Sequence, residues 1–415
     1  MERILVGHEH LITDLHAVSE IGKASAGWNR LAYTEAERGA VQYFLDACQK
    51  IGLVTRVDSV GNAYARWNGA NSDLPVVLCG SHLDTVRNAG PLDGTYGVFA
   101  ALEAVRTLKE QHVTPYFPLE IVAFACEESS RFGVSTVGSK AVAGHLEADK
   151  VRGLMDRDGI VFDEAMRLWG YSFERIPEAV RDDLLIFIEL HIEQGPTLEN
   201  NGEQIGIVTG IAAPTRFQVV ICGTASHSGA TTMSYRRDAL PAAAEFILAA
   251  EQSGRAEEGY GTVATVGVCE VFPGAMNVIP GEVRLQVDVR GIEAASKQRV
   301  VDELKKSIEN ICQKRKLEYR WNSLGDEAPV FMNVGLNQLV AQVCSDHQIS
   351  YRFMPSGAGH DAMNMARLCP SSLIFVPSRG GISHNPAEDT DEEHLRIGVK
   401  VLCEVLKRQV LFGGI

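Results

Sequence analysis

The chain has 415 residues, 45% hydrophobic and 22% charged, which sets aside a generally disordered protein and allows two or three domains at roughly 100–200 residues each. Lys plus Arg number 39 against 53 Asp plus Glu, a net charge of −14, and that balance opposes a nucleic-acid or anionic-membrane partner. Nine Cys include no CxxC pair; Cys79, Cys126, Cys222, Cys269 and Cys403 lie among apolar neighbours and read as buried free thiols of a reducing, cytoplasmic compartment.

Residues 1–18 have no long apolar core behind a basic tip, so no secretory leader is expected, and no apolar run approaches the roughly 20 residues that cross a bilayer. VVLCG (76–80), LEIVAFA (119–125) and LLIFIEL (184–190) are continuous apolar strands of the kind buried on both faces of a mainly parallel sheet. Between the first two, residues 97–112 place Val98, Leu102, Val105 and Leu108 at helical spacing, so the order is strand–helix–strand and the class is α/β. A different pattern follows. RFQVVIC (216–222), a helix over 237–253, TVATVGVCEVF (262–272), EVRLQVDVR (282–290), a helix over 297–316 and KLEYRWNS (316–323) spell β-α-β-β-α-β. SLIFVPS (372–378) then returns to the first sheet. The expectation is a large mixed α/β domain from 1–212 and 329–415, interrupted by a smaller ferredoxin-like α+β domain at 213–328.

Polar clusters follow four apolar strands: GSHLDTV (80–86), CEESSRF (126–132), HIEQG (191–195) and GISHNPAE (381–388). Open α/β sheets bind ligands beyond the carboxyl ends of their strands. Each residue alone has an ordinary reading. His82, His191 and His384 can be satisfied strand-end histidines, Asp93 a helix cap, and Glu127–Glu128 a solvated acidic loop. In the H-x-D spacing, the Asp84 carboxylate is expected to hold one ring nitrogen of His82 while the other meets a metal. Adjacent carboxylates repel unless a cation or separate roles resolve the conflict, so one glutamate can ligate while the other acts as a base. Together, three imidazoles and up to three carboxylates at one sheet edge suit zinc or manganese, and two metals better than one.

These motifs, with GPLDGTYGV (90–98), MNVIPGEV (276–283) and SGAGHDA (356–362), resemble the dinuclear zinc peptidase and aminoacylase family across nearly the whole chain. The resemblance is strongest to its hydantoinase/carbamoylase branch, which holds N-carbamoyl-L-amino acid hydrolases, allantoate amidohydrolases and related ureido-hydrolases. It implies one divalent ion (Zn2+, or Mn2+ or Co2+) on His82, Asp93 and His191, and a second on Asp93, Glu128 and His384. Asp93 then bridges, and Glu127 is the general base with Asp84 beside it. His191 supports this branch, because many relatives outside it place a carboxylate there.

The small domain offers His227 in a Ser/Gly/Thr-rich turn, Asn277 in a Pro-bounded loop, and Arg290 at the end of an alternating strand. Their ordinary readings are a turn histidine, a loop amide and an ion pair with Asp288. The resemblance implies that His227 and Asn277 stabilise an oxyanion, that Arg290 holds a substrate carboxylate, and that Gln194 and Gly359 contact substrate. Thr232 and Ser129 depart from the usual Pro and Gly of the family. The resemblance further implies domain closure and a homodimer through the small domain, with His227 reaching its own or the neighbour's site. The expected reaction is hydrolysis of an N-carbamoyl-L-amino acid to amino acid, ammonia and carbon dioxide. Allantoate or another ureido acid is the alternative substrate. A dipeptidase and a catalytically silent binding protein stand further off, and the intact ligand set with Glu127 counts against the last.

Overall fold

The computed structural model describes residues 9–413; the leader reading rests partly on residues 1–8, which lie outside the described residues. The elements in chain order begin with α1 (Glu9–Ser19), α2 (Glu35–Lys50), β1 (Val54–Val57), β2 (Ala63–Trp67), β3 (Val76–His82), α3 (Thr95–Glu110), β4 (Leu119–Phe124), β5 (Leu184–Ile192) and β6 (Ile205–Ile211). Next come β7 (Ala213–Cys222), α4 (Ala239–Ala256), β8 (Val263–Phe272), β9 (Glu282–Gly291), α5 (Ala294–Arg315) and β10 (Glu318–Asp326). The remainder are β11 (Val330–Phe331), α6 (Val334–Asp346), β12 (Tyr351–Ser356), β13 (Ser371–Val376) and α7 (Glu392–Phe412).

The chain forms two compact units. The larger takes the chain up to Thr209, Phe331–Met354, and residues from His360 onward; the smaller takes Gly210–Val330 and Pro355–Gly359. The sequence placed the small domain at 213–328 and did not assign 355–359 to it. Hydrogen bonds attach that segment, among them Ala212 N–H to the Ser356 carbonyl at 2.8 Å and Arg290 Nη1 to the Gly357 carbonyl at 3.0 Å.

The large unit has a nine-stranded sheet in the order β11-β6-β13-β5-β3-β4-β2-β1, with β12 paired to β6. β13–β5, β5–β3 and β3–β4 are parallel, whereas β6–β13, β4–β2 and β2–β1 are antiparallel. The sheet is therefore mixed, and parallel only at its centre. β3, β4 and β13 are buried at every position, as strands covered on both faces must be. β1 leaves Val54 and Val57 exposed at the sheet edge. α3 packs on β3 and β5 and also against α7 and α1. It is buried nearly all round, not only along the Val98–Leu102–Val105–Leu108 stripe.

The small unit is an antiparallel four-stranded sheet in the order β8-β9-β7-β10, the ferredoxin-like arrangement. The alternation in β9 buries Val283, Leu285, Val287 and Val289. With Phe217 and Val219 they pack on Phe246 of α4 and on Val300, Leu304 and Ile308 of α5. Asp238 caps α4 through the Leu240 amide, and Pro241 occupies the first turn, where its missing N–H is harmless.

All nine cysteines are free. Cys79, Cys126 and Cys403 are buried as expected, but Cys222 is half-buried and Cys269 is exposed. β8 is an edge strand, so apolar sequence neighbours do not enclose the Cys269 side chain. Among the described residues, no helix is long and apolar enough to cross a membrane.

Leu304 is fully buried between α5 and the sheet of the small unit. Leu304→Ala should destabilise the protein by about 2–5 kcal/mol. Urea denaturation followed by Trp fluorescence and circular dichroism measures this; an unchanged midpoint and slope would contradict the packing described.

Candidate metal centre

β4, β3, β5 and β13 run parallel, so their carboxyl ends finish on one edge of the sheet. His82 is the last residue of β3 and His191 lies at the end of β5. Glu127 and Glu128 follow β4, and His384 follows β13. Three of these chain reversals pass through non-glycine residues with left-handed backbone: Cys126 (φ 51), Gln194 (φ 61) and His384 (φ 53). Such conformations each cost on the order of 1–3 kcal/mol, and here they collect around one site. Asp93 sits on the turn into α3. The next residue, Gly94, has φ 62, and a Cβ there would lie 2.4 Å from His82 Nε2. Glycine is required for the imidazole to reach Asp93.

Ligand atoms of His82, Asp93 and His191 lie within 4.8 Å of one another, and so do those of Asp93, Glu128 and His384. Asp93 belongs to both groups and divides its oxygens between them. Its Oδ1 is 3.0 Å from His191 Nε2 and 3.7 Å from His82 Nε2. Its Oδ2 is 3.1 Å from His384 Nε2, which is also 3.2 Å from Glu128 Oε1. His82, Asp93, His191 and Glu128 are buried, whereas the His384 side chain is 49% exposed. The structure thus brings together all five residues expected to bind metal.

The imidazoles are oriented from behind. His191 Nδ1–H donates to the Ile192 carbonyl at 2.8 Å, and His82 Nδ1–H to the Asp84 carbonyl at 2.9 Å, which turns both Nε2 atoms toward the centre, where the Gly94 amide also approaches His191 Nε2 at 3.1 Å. The sequence assigned this task to the Asp84 carboxylate, but its Oδ1 stands 3.7 Å from His82 Nδ1. The carboxylate instead accepts the backbone amides of Glu127 at 3.1 Å and Glu128 at 3.0 Å. Two buried amides need an acceptor, and the Asp84 main chain already serves the ring. Asp84 therefore braces the acidic pair, tying the end of β3 to the loop after β4.

Burial, joined by the charge of Glu128, raises the Glu127 pKa well above the usual carboxylate range. Burial also raises Glu128, against a hydrogen bond from His384. Burial alone would raise Asp93, but hydrogen bonds from His191 and His384, reinforced by their charge, hold it well below its ordinary value. Burial would likewise lower His191, yet Asp93 carries it up to about 9. Hydrogen bonds to Asp93 and Glu128 raise His384 to about 10, whereas burial takes His82 down to about 4. The donor chemistry is borderline imidazole and hard carboxylate around one ionised, shared carboxylate. That set fits divalent first-row cations.

Gln194 Nε2 donates to Asp93 Oδ2 at 3.0 Å and lies 3.3 Å from Ser383 Oγ, so its amide steadies the shared carboxylate. In the small unit, the short ladder Ser226–His227 with Val278–Ile279 sets His227 beside Asn277, whose carbonyl accepts the Ser228 amide at 3.0 Å. His227 Nδ1 accepts the Gly229 and Ala230 amides at 3.1 Å each, so Nε2 carries the proton; both His227 and Asn277 are exposed. Arg290 grips Asp288 with Nε and Nη2, each at 3.1 Å, while Arg216 Nε approaches the same carboxylate at 3.1 Å. Gly359 is exposed and ends the 355–359 segment.

Sequence reasoning missed Arg30 and Glu388. Arg30 is fully buried, with Nε donating to the Leu83 carbonyl at 3.0 Å and Nη2 to Thr95 Oγ1 at 2.6 Å. It holds the two loops that carry Asp84 and Asp93, and burial lowers its pKa to about 10. A cation directly before the apolar run LAY (31–33) was its available signal. Glu388 lay within a motif read only for its histidine.

Residues 78–408 match peptidase family M20/M25/M40. The chain is 38% identical over 401 residues to an N-carbamoyl-L-amino acid amidohydrolase of Geobacillus stearothermophilus, covering 96% of this chain and 97% of that one. It is 39% identical over 382 residues to an allantoate amidohydrolase of Escherichia coli strain K12, covering 92% and 93%. A crystal structure of an amidase of the hydantoinase/carbamoylase family from Burkholderia multivorans superposes with a TM-score of 0.91 at 31% identity, covering 99% of each chain.

The shared position of Asp93 makes a separable prediction. His384→Ala should reduce metal retention in one group and His82→Ala in the other, whereas Asp93→Asn should reduce it in both. Metal analysis of the purified variants after dialysis reads the stoichiometry; full retention in Asp93→Asn would remove the shared carboxylate from any metal centre.

Proposed function

The chain belongs to peptidase family M20/M25/M40, a metal-dependent hydrolase family, and from that membership we propose that it is an amidohydrolase cleaving a linear, non-peptide C–N bond of a small carbamoyl or ureido acid. N-carbamoyl-L-amino acids are the first substrate class. Allantoate or another ureido acid is the second, favoured by the comparable similarity to the Escherichia coli enzyme. One observation carries the reading: Asp93 gives one oxygen to each three-residue donor set, while the buried Glu127, outside both sets, lies 3.8 Å from His82 Nε2.

In this reading His82, Asp93 and His191 hold one divalent ion, and Asp93, Glu128 and His384 a second, as Zn2+ or as Mn2+ or Co2+. When bound, such ions act as Lewis acids and lower the pKa of water from about 15.7 to roughly 7. Glu127 takes a proton from the attacking water and passes it to the leaving nitrogen. Asp84 keeps Glu127 in place through its amide. His227 Nε2–H and the Asn277 side-chain amide donate to the developing oxyanion. Arg290 receives the substrate carboxylate by exchanging the Gly357 carbonyl for it, while Asp288 keeps the guanidinium plane fixed. Gln194 and Gly359 contact the substrate in this reading. From an N-carbamoyl amino acid and one water, the products are the amino acid, ammonia and carbon dioxide. The same reading makes the protein a cytoplasmic homodimer joined through its small unit, with a small carboxylate-bearing substrate as its partner.

A panel of N-carbamoyl-L-amino acids, allantoate, ureidoglycolate and dipeptides, assayed for ammonia and amino-acid release, tests the class. Cleavage of dipeptides alone would overturn it. Glu127→Gln should keep its metal and lower kcat by about 10²–10⁴-fold. Loss of metal together with activity would transfer the ligand role from Glu128 to Glu127. Removing a charged partner from a desolvated site costs about 2–5 kcal/mol, so Arg290→Ala should raise KM steeply for a carboxylate substrate. The matching carboxamide should be poor with the unaltered enzyme and little changed by the substitution. Equal losses on acid and amide would leave Arg290 as the structural partner of Asp288.

A further inference from the structure

We infer that Glu388 is a positioning residue that ties the turn carrying Asp93 to the loop carrying His384, and so sets the Asp93–Glu128–His384 group; the inference rests on the metal reading above. Glu388 belongs to neither donor group, and it is only 4% exposed. Its Oε1 accepts the backbone amides of Leu92 at 2.9 Å and Asp93 at 3.0 Å. Its Oε2 accepts the Ser383 hydroxyl at 2.8 Å. Two segments almost three hundred residues apart are thus held by one carboxylate. A ring of contacts then closes through the ligand itself: Ser383 Oγ lies 3.4 Å from Asp93 Oδ2, and Gln194 Nε2 reaches both.

The approach is close. A Cβ on Gly90 would fall 2.2 Å from Glu388 Cβ and 2.5 Å from its Oε1, so glycine is what lets the turn reach the side chain. The acceptor count explains the residue type. Two amides and a hydroxyl need acceptors at both oxygens, which an ionised carboxylate supplies and a carboxamide does not. His384 sits on a left-handed residue of an exposed loop, and its side chain is 49% exposed. Packing alone does not fix such a ligand. Glu388, four residues on, anchors its loop to the turn whose carboxylate His384 must meet.

Glu388→Gln keeps the shape and loses one acceptor. The decisive measurement is a chelator titration of the metal-loaded, full-length protein, comparing Glu388→Gln and Ser383→Ala with His384→Ala and the unaltered chain. Glu388→Gln should weaken the metal equivalent that His384→Ala removes, by roughly 10–100-fold, the usual effect of losing a residue that orients a ligand. Ser383→Ala, which leaves both amide contacts intact, should act in the same direction but less. Thermal denaturation in excess chelator should stay near that of the unaltered protein. Metal retention like that of the unaltered chain, with lowered stability in chelator, would reduce Glu388 to a structural cap and overturn the inference alone. An unaltered protein with no metal equivalent sensitive to His384→Ala would overturn the metal reading, and this inference with it.

Discussion

One buried carboxylate has to stay ionised. Asp93 is buried on the turn into α3, beside a sheet in which β3, β4 and β13 are wholly buried, and stripping water from a charge there costs several kcal/mol unless donors replace it. Here the replacements are His191, His384 and Gln194, with the backbone of the turn itself pinned by Glu388. Much of the large unit serves that requirement. Parallel strands bring two of the histidines to one edge, Gly94 admits the His82 ring, and Arg30 holds the loops on either side. The left-handed residues Cys126, Gln194 and His384 are the backbone conformations that let three separate loops turn inward.

The parts legible in the sequence were those with a one-dimensional signature. β3, β4, β5 and β13 read as continuous apolar runs because both faces of each are covered. The two amphipathic helices and the alternating β9 of the small unit declared themselves by period. β1 and β12 did not, since short, partly exposed strands carry no such run, and the largely buried β2 and β6 were also missed. Cys269 failed for a related reason: apolar sequence neighbours say nothing about whether a strand lies at an edge.

The site divides in the same way. Residue types and strand-end positions were enough to bring His82, Asp93, Glu128, His191 and His384 under suspicion. Which atom of Asp84 meets His82 was beyond spacing, because carbonyl and carboxylate belong to one residue and only the loop after β4 decides between them. Glu388 and Arg30 act across the chain, so no local pattern marks them. The paired state of Arg290 was legible, because two residues along one strand must share a face.

The sheet order has a consequence for how the chain is made. β13 lies between β6 and β5, yet β6 precedes the inserted unit and β13 comes long after it. A chain emerging from the ribosome completes the small unit's four strands while the large sheet still has a gap at its middle. Residues 371–376 fill that gap, and His384 follows them. The host therefore waits for its guest, and the five candidate ligands are first all present only after His384 has followed β13 out of the ribosome.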